Sequence, residues 1–346
     1  MKRALVISGG GSKGAFAVGV LKQLKIVFPQ LDFDFYVGTS AGSLVVTLAS
    51  LNEIDTLEKI YTTTSNEDLF IEGNIVDKLN DTSLFDVLPA WNLIQQNYPD
   101  TSYNQLQASG KKVFLTTVCL QTNELNVFTN DASSIETKDY KVVQTINANH
   151  YRRALLASCC EPVFMQPIMV GRDVPGAVNP NDQFVDGGVM KYVGIQMAID
   201  AGATEIFAIL LSPDKSTVQQ TQYGNLLEIL GKTVDILTSD VGKNDIAITD
   251  QYTSALKYID DVKTKMRAAG VDDTTINNYF TLPYKNIFQD KSPIKIFKIR
   301  PDNFLGGGPG GLTFDPGEMQ AMLVKGQTAF NEFAANLPPE EITWMV

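Results

Sequence analysis

Short runs of apolar residues alternate with stretches in which apolar positions recur every three or four residues. This is the pattern of buried strands interleaved with amphipathic helices. Residues 4–8 form the first apolar run and residues 15–24 the first helical stretch, with Gly9-Gly10-Gly11-Ser12-Lys13-Gly14 between them. A second run, near 33–38, leads through a tight turn into a helical stretch from Ala41 to about residue 50. Strand, glycine turn and helix in this order predict a parallel α/β arrangement. Further strands are expected at 111–120, 124–129, 183–186, 205–211 and 293–300. Helices are expected at 146–158, 189–201, 226–236, 255–268 and 314–337.

Residues 52–110 read as helices and loops of moderate polarity. Their apolar anchors, among them Leu84, Val87, Trp91 and Ile94, suit core packing or a lid over an acyl pocket. Residues 214–290 are polar and mainly helical, a helical insert or small lobe within a single domain over 1–346. Residues 306–311 read as a flexible loop and not as a phosphate cradle, because no strand runs straight into them.

The turn after the second strand is Gly38-Thr39-Ser40-Ala41-Gly42, of the form Gly-x-Ser-x-Gly. Its glycines allow a sharp reversal that pushes the intervening serine outward on a strained backbone. Ser40 would also sit at a helix N-terminus, where free N–H groups and the helix dipole favour a developing negative charge. The pattern also arises by chance, so the strand–turn–helix setting is what gives it weight. Asp186-Gly187-Gly188 ends another short apolar run, although Asp-Gly is ordinary turn chemistry too. An acid there is expected at the same sheet edge as Ser40.

Gly9, Gly11 and Gly14 fit the Gly-x-Gly-x-x-Gly of dinucleotide folds. Those folds place an acid at the far end of the second strand. Asp34 has about the right spacing but precedes the strand, at the wrong end of the sheet. The loop fits another use better. Successive parallel strands tend to be neighbours, so the N–H groups of Gly9, Gly10, Gly11 and Ala41 could surround an oxyanion beside Ser40.

With 346 residues and 44% hydrophobic content, the chain can bury a substantial core. Its net charge of -11 disfavours nucleic acid and anionic membranes, and so favours a neutral, zwitterionic or soluble substrate. Cys119, Cys159 and Cys160 have no disulfide or zinc spacing, and small buried thiols suit a reducing, cytoplasmic setting. The N-terminal apolar run is too short for a signal peptide, and no run is long enough to span a membrane. Contact with a membrane would be peripheral. The one histidine, His150, precedes Asp186, against the Ser–acid–His order of α/β-hydrolase triads. Its polar surroundings read as those of a surface or capping histidine.

Taken together, Gly9-Gly10-Gly11-Ser12-Lys13-Gly14, Gly38-Thr39-Ser40-Ala41-Gly42 and Asp186-Gly187-Gly188 resemble the patatin-like phospholipase family. Ala157-Ser158…Pro162…Phe164…Pro167 and Ala198…Gly202-Ala203 add to the likeness, which covers about residues 4–212 with a weaker match near 322–330. The resemblance implies a patatin-like three-layer α/β sandwich with a mainly parallel central sheet. It implies a Ser–Asp dyad, with Ser40 as nucleophile and Asp186 as base, and an oxyanion hole from Gly9–Gly11. Lys13 matches the family's basic loop residue and would orient a lipid headgroup. Gly14, Gly38, Gly42, Gly187 and Gly188 complete the motifs. The implied reaction is acyl-ester hydrolysis of phospholipids, lysophospholipids or neutral lipids without metal or cofactor. Where the family often has Asn-x-Pro after Asp-Gly-Gly, this chain has Tyr192 and Gly194, which bears on the acyl pocket. A nucleotide-binding module or an inactive relative using the glycine loop is the alternative.

Overall fold

A computed structural model of the chain describes residues 1–72, 81–131, 137, 139–214, 222–284, 287–288 and 291–338. The first two expected units form as the pattern requires. Strand Arg3–Ile7 (β1) leads to helix Gly14–Val27 (α1), and Phe35–Thr39 (β2) leads to Ala41–Ser50 (α2). β1 and β2 pair in parallel with Ala4 opposite Phe35 and Ile7 opposite Gly38. Both strands therefore end at one level, and the two turns open side by side at one rim of the sheet.

Helix Ile54–Thr63 (α3), the short pair Ile71–Glu72 (β3) and Phe85–Asp86 (β4), and helices Leu88–Asn97 (α4) and Asp100–Ser109 (α5) follow. The chain re-enters the sheet at Lys112–Cys119 (β5), Glu124–Thr129 (β6) and Lys141–Gln144 (β7), then forms helix Ala148–Cys159 (α6). Phe184–Asp186 (β8), Ile195–Asp200 (α7) and Glu205–Ile209 (β9) complete the expected motifs. The remaining elements are Leu226–Ala268 (α8), Asp273–Phe280 (α9), Lys295–Ile299 (β10) and Pro316–Ala335 (α10).

The main sheet has the order β10-β9-β1-β2-β5-β6-β7, with β8 attached to β5. It is mainly parallel, and only the β5–β6 and β5–β8 pairs are antiparallel. β1 is buried on both faces. Leu5 and Ile7 join a core with Phe16 of α1, Leu48 of α2, Leu57 of α3, Leu155 of α6 and Phe330 of α10. Ala4 and Val6 join the opposite core with Ile195, Met197 and Ala198 of α7. This is a three-layer α/β sandwich. Each fully buried large side chain contributes on the order of 1.5–3 kcal/mol, so the strands' unbroken apolar runs hold the middle layer in place.

Three features depart from the sequence pattern. The two helices expected at 226–236 and 255–268 are one continuous helix of 43 residues. The polar stretch between them lacks proline and is solvated on one side, so nothing interrupts the helix. β7 was not expected: its apolar content is only Val142 and Val143 at a half-exposed edge. The helix expected over 189–201 shortens to α7, because Gly187–Val189 close into a tight 3-10 turn first.

Candidate active site

Ser40 sits between β2 and α2 as the residue capping the helix N-terminus, with φ 56° and ψ −131°. That conformation is strained for any residue with a Cβ and is held only by its surroundings. The holding is visible at Gly42, where a Cβ would fall 2.3 Å from the Ile7 carbonyl oxygen and 2.7 Å from that of Ser8. A larger residue there would push α2 off β1. Gly38 packs as closely on the backbone of Ser43. From α6, Ser158 braces the turn: its hydroxyl accepts the Ser40 N–H at 3.2 Å and bonds the Ser43 hydroxyl at 2.7 Å. The family-like run contained Ser158, but nothing local in the sequence marks it as a brace.

Asp186 lies at the same rim, by an unexpected route. β8 starts level with the end of β5, with Phe184 opposite Cys119, and runs back antiparallel until Asp186 reaches Thr117. Thr116, next along β5, is level with Thr39 at the end of β2. The carboxyl is therefore delivered to Ser40 by a returning strand and not by the end of a parallel one. Gly187 is seated against Thr116, and the N–H of Gly188 donates to Asp186 Oδ1 at 2.7 Å. Oδ2 is buried and makes no hydrogen bond of ordinary geometry. Burial pushes the carboxyl up to about 7, against the pull of the nearby Ser40 hydroxyl and the Gly188 N–H.

The glycine loop closes the third side. A Cβ on Gly9 would lie 3.3 Å from that of Ser40, so loop and serine touch. The Gly9 N–H is already engaged, donating to the Tyr192 carbonyl at 3.2 Å. The amides of Gly10, Gly11 and Ala41 have no acceptor among the described residues. Gly11 has φ +57° and rests on Gly311, whose carbonyl oxygen would be 2.2 Å from any Cβ. Residues 306–311 are thus a backing for the glycine loop, a packing role that the sequence did not reveal. Gly14 starts α1 against the Tyr61 ring.

Ser40, Gly11 and Ala41 line an apolar cavity of about 100 Å3. Leu44, Leu57, Phe70, Ile94, Leu156 and Phe314 are among its walls. The segment 52–110 thus supplies wall through α3, Phe70 and α4, while its residues 73–80 lie outside the described part. Lys13 faces elsewhere. It is buried, its ammonium stands 5.1 Å from the Phe304 ring centre, and it lines a separate polar cavity of about 510 Å3 with Tyr192, Lys232 and Asp235. Burial lowers its pKa, Asp235 opposes this and Lys232 adds to it. No residue lines both cavities.

Beyond Asp186 the chain is pinned to α8. Asp245 accepts from Lys191 Nζ at 2.7 Å and from the N–H groups of Tyr192 and Val193 at 2.9 and 3.0 Å. His150 does not line the Ser40 cavity. Its Nδ1 accepts the Ile146 N–H at 3.2 Å and its ring meets Phe128 edge-on; it is a buried residue of the first turn of α6, whose cap is Asn147, and is not on the surface. Asp34 sits at the opposite end of β1, paired with Lys2 at 2.6 Å.

Residues 5–199 match the family model described as patatin-like phospholipase. The chain belongs to the patatin-like phospholipase family. The matched part of this patatin-like chain includes the glycine loop, Ser40 and Asp186, and leaves α8, β10 and α10 outside. Over 64 residues the chain is 36% identical to an Escherichia coli protein described as a cUMP-AMP-activated phospholipase, covering 17% of this chain and 20% of that one. The crystal structure of VipD from Legionella pneumophila aligns with 96% of this chain and 66% of VipD, at 11% identity and a TM-score of 0.44. Among the described residues, no helix is long and apolar enough to cross a membrane.

Proposed function

We propose that this patatin-like protein is a lipid acyl hydrolase, a serine esterase in which Ser40 attacks and Asp186 acts as base. The observation that carries this reading is the meeting of three things beside one apolar cavity: a strained serine, a buried carboxyl next to it, and amides with no acceptor among the described residues.

In the first step the Ser40 hydroxyl gives its proton to Asp186 as Oγ bonds the acyl carbonyl carbon. The carbonyl oxygen takes the charge among the amides of Gly10, Gly11 and Ala41, where each donor is worth about 2.7–4 kcal/mol. The tetrahedral carbon then expels the alcohol, which leaves with the proton from Asp186. Water repeats the sequence on the acyl-serine and restores both groups. A free aspartate, near 3.9, is a weak base. A carboxyl pushed up to about 7 takes the proton far more readily at neutral pH. The cavity walls suit an acyl chain, and the net charge of -11 suits a neutral or zwitterionic lipid.

The test is labelling with a fluorophosphonate, followed by a panel of phospholipids, lysophospholipids and neutral lipids. Label on Ser40, and hydrolysis lost in Ser40→Ala, are the expected results. Full hydrolysis by Ser40→Ala would refute the reading. A second reading treats the glycine loop as part of a nucleotide site, favoured by the roomy polar cavity that holds Lys13. Saturable dinucleotide binding without any label on Ser40 would support it.

A further inference from the structure

A second carboxyl shares the Ser40 cavity. Glu161, two residues past the end of α6, lines that cavity together with Ser40 and Cys159. Its Oε1 is buried and has no hydrogen-bond partner among the described residues. A buried carboxylate oxygen left unpaired costs far more than a protonated acid in the same place.

The charged groups that act on Glu161 are Asp186 of β8 and Asp235 of α8, and no cation is among them. Asp235 itself accepts the Gly310 N–H at 2.8 Å, stands 3.9 Å from the Lys232 ammonium and also interacts with Lys13. The thiols of Cys159 and Cys160 and the hydroxyl of Tyr192 are all pushed up by burial and stay neutral. The tyrosines that line the Ser40 cavity, Tyr61 and Tyr98, are shifted the same way by burial. Nothing here offsets a negative charge on Glu161.

We propose that Glu161 is the second carboxyl of the active site, held as a neutral acid so that the Glu161–Asp186 pair carries a single negative charge while Ser40 reacts. This rests on the reading of Ser40 and Asp186 as the reacting pair. Glu161 acts through that pair and is a positioning residue. Burial first, then the charges of Asp186 and Asp235, push its carboxyl up to about 8. Above that range Glu161 ionises and sets a like charge beside the forming oxyanion, so turnover falls. Of the two carboxyls Asp186 loses its proton first, while Glu161 is still neutral, and so sets the acid side.

The experiment compares wild type with Glu161→Gln, which keeps the shape and stays neutral. The first readout is kcat/KM for a short-chain p-nitrophenyl ester between about pH 6 and about pH 10. Wild type should lose about tenfold per pH unit on the alkaline side. Glu161→Gln should hold its plateau there and keep the same acid limb. An unchanged alkaline limb in the variant overturns the proposal, as does a uniform loss at every pH. The second readout needs no turnover: the infrared absorption of protonated carboxyl at neutral pH, which should fall in Glu161→Gln to the part that Asp186 alone contributes. If no band depends on Glu161, the proposal fails even when a fluorophosphonate still labels Ser40. If the band is there but Ser40 takes no label, the esterase reading is what fails, and with it the role given to Glu161.

Discussion

Replacing Asp186 by Asn should remove the base and yet make the protein more stable at neutral pH. In the folded chain burial raises the Asp186 carboxyl from 3.8 to about 7. Between those limits the folded state holds a proton that the unfolded state has released, so wild-type stability falls as pH rises through the window. At about 1.4 kcal/mol per pH unit, the full cost of ionising the buried group is ~4 kcal/mol above neutrality. Asn avoids that cost and its oxygen can still accept from the Gly188 N–H. Its NH2 takes the place of Oδ2, which has no well-formed partner, and an unsatisfied donor gives back about 1–3 kcal/mol. A net gain of ~1–3 kcal/mol is expected at pH 8 by urea unfolding of the two proteins side by side, turning into a net loss of ~1–3 kcal/mol near pH 4, where wild type holds its proton and only the unsatisfied donor of the variant remains. A variant no more stable than wild type at pH 8, or one whose advantage is the same at both ends, would refute the reasoning about this carboxyl.

Three further outcomes follow from the same site. Ser40→Gly should melt higher than Ser40→Ala, by about 1 kcal/mol after the entropy cost of glycine, because only glycine accepts φ 56° with ψ −131° freely; equal stability would mean the elbow stores no strain. His150→Gln should cost about 1–3 kcal/mol of stability through its buried ring, yet leave ester turnover within about twofold, as a steady-state assay would show. Ile94→Trp should shorten the apolar cavity and shift the preferred substrate toward short acyl chains in a p-nitrophenyl ester series, and an unchanged profile would put the acyl group elsewhere.

The parts of this molecule that are legible in its sequence are those made by neighbours along the chain. The glycine loop with α1, and the elbow with α2, each lie within a few residues, so strand, turn and helix signals suffice. Asp186 shows how far such reading reaches: its strand and its rim were expected, but the antiparallel return along β5 depends on a pairing that no local pattern encodes. Glu161, Ser158 and the backing loop at 306–311 carry no periodic signal. Their roles come from burial and from contacts across the fold, such as Gly11 on Gly311. The join of two expected helices into α8 has a similar cause, since a polar stretch without proline looks the same in solvent as in a linker.

The place of β9 between β1 and β10 has a consequence for anyone trimming the gene. A product ending at residue 199, where the family match stops, would strip β1 of the neighbour that pairs with it from Arg3 to Ile7. Its row of open amides and carbonyls, flanked by greasy side chains on both faces, would invite other molecules to add on edge to edge. The anchor that Asp245 gives to Lys191, Tyr192 and Val193 would go with it. The statistical boundary of the family is therefore not a place to cut, and the shortened product should collect in inclusion bodies.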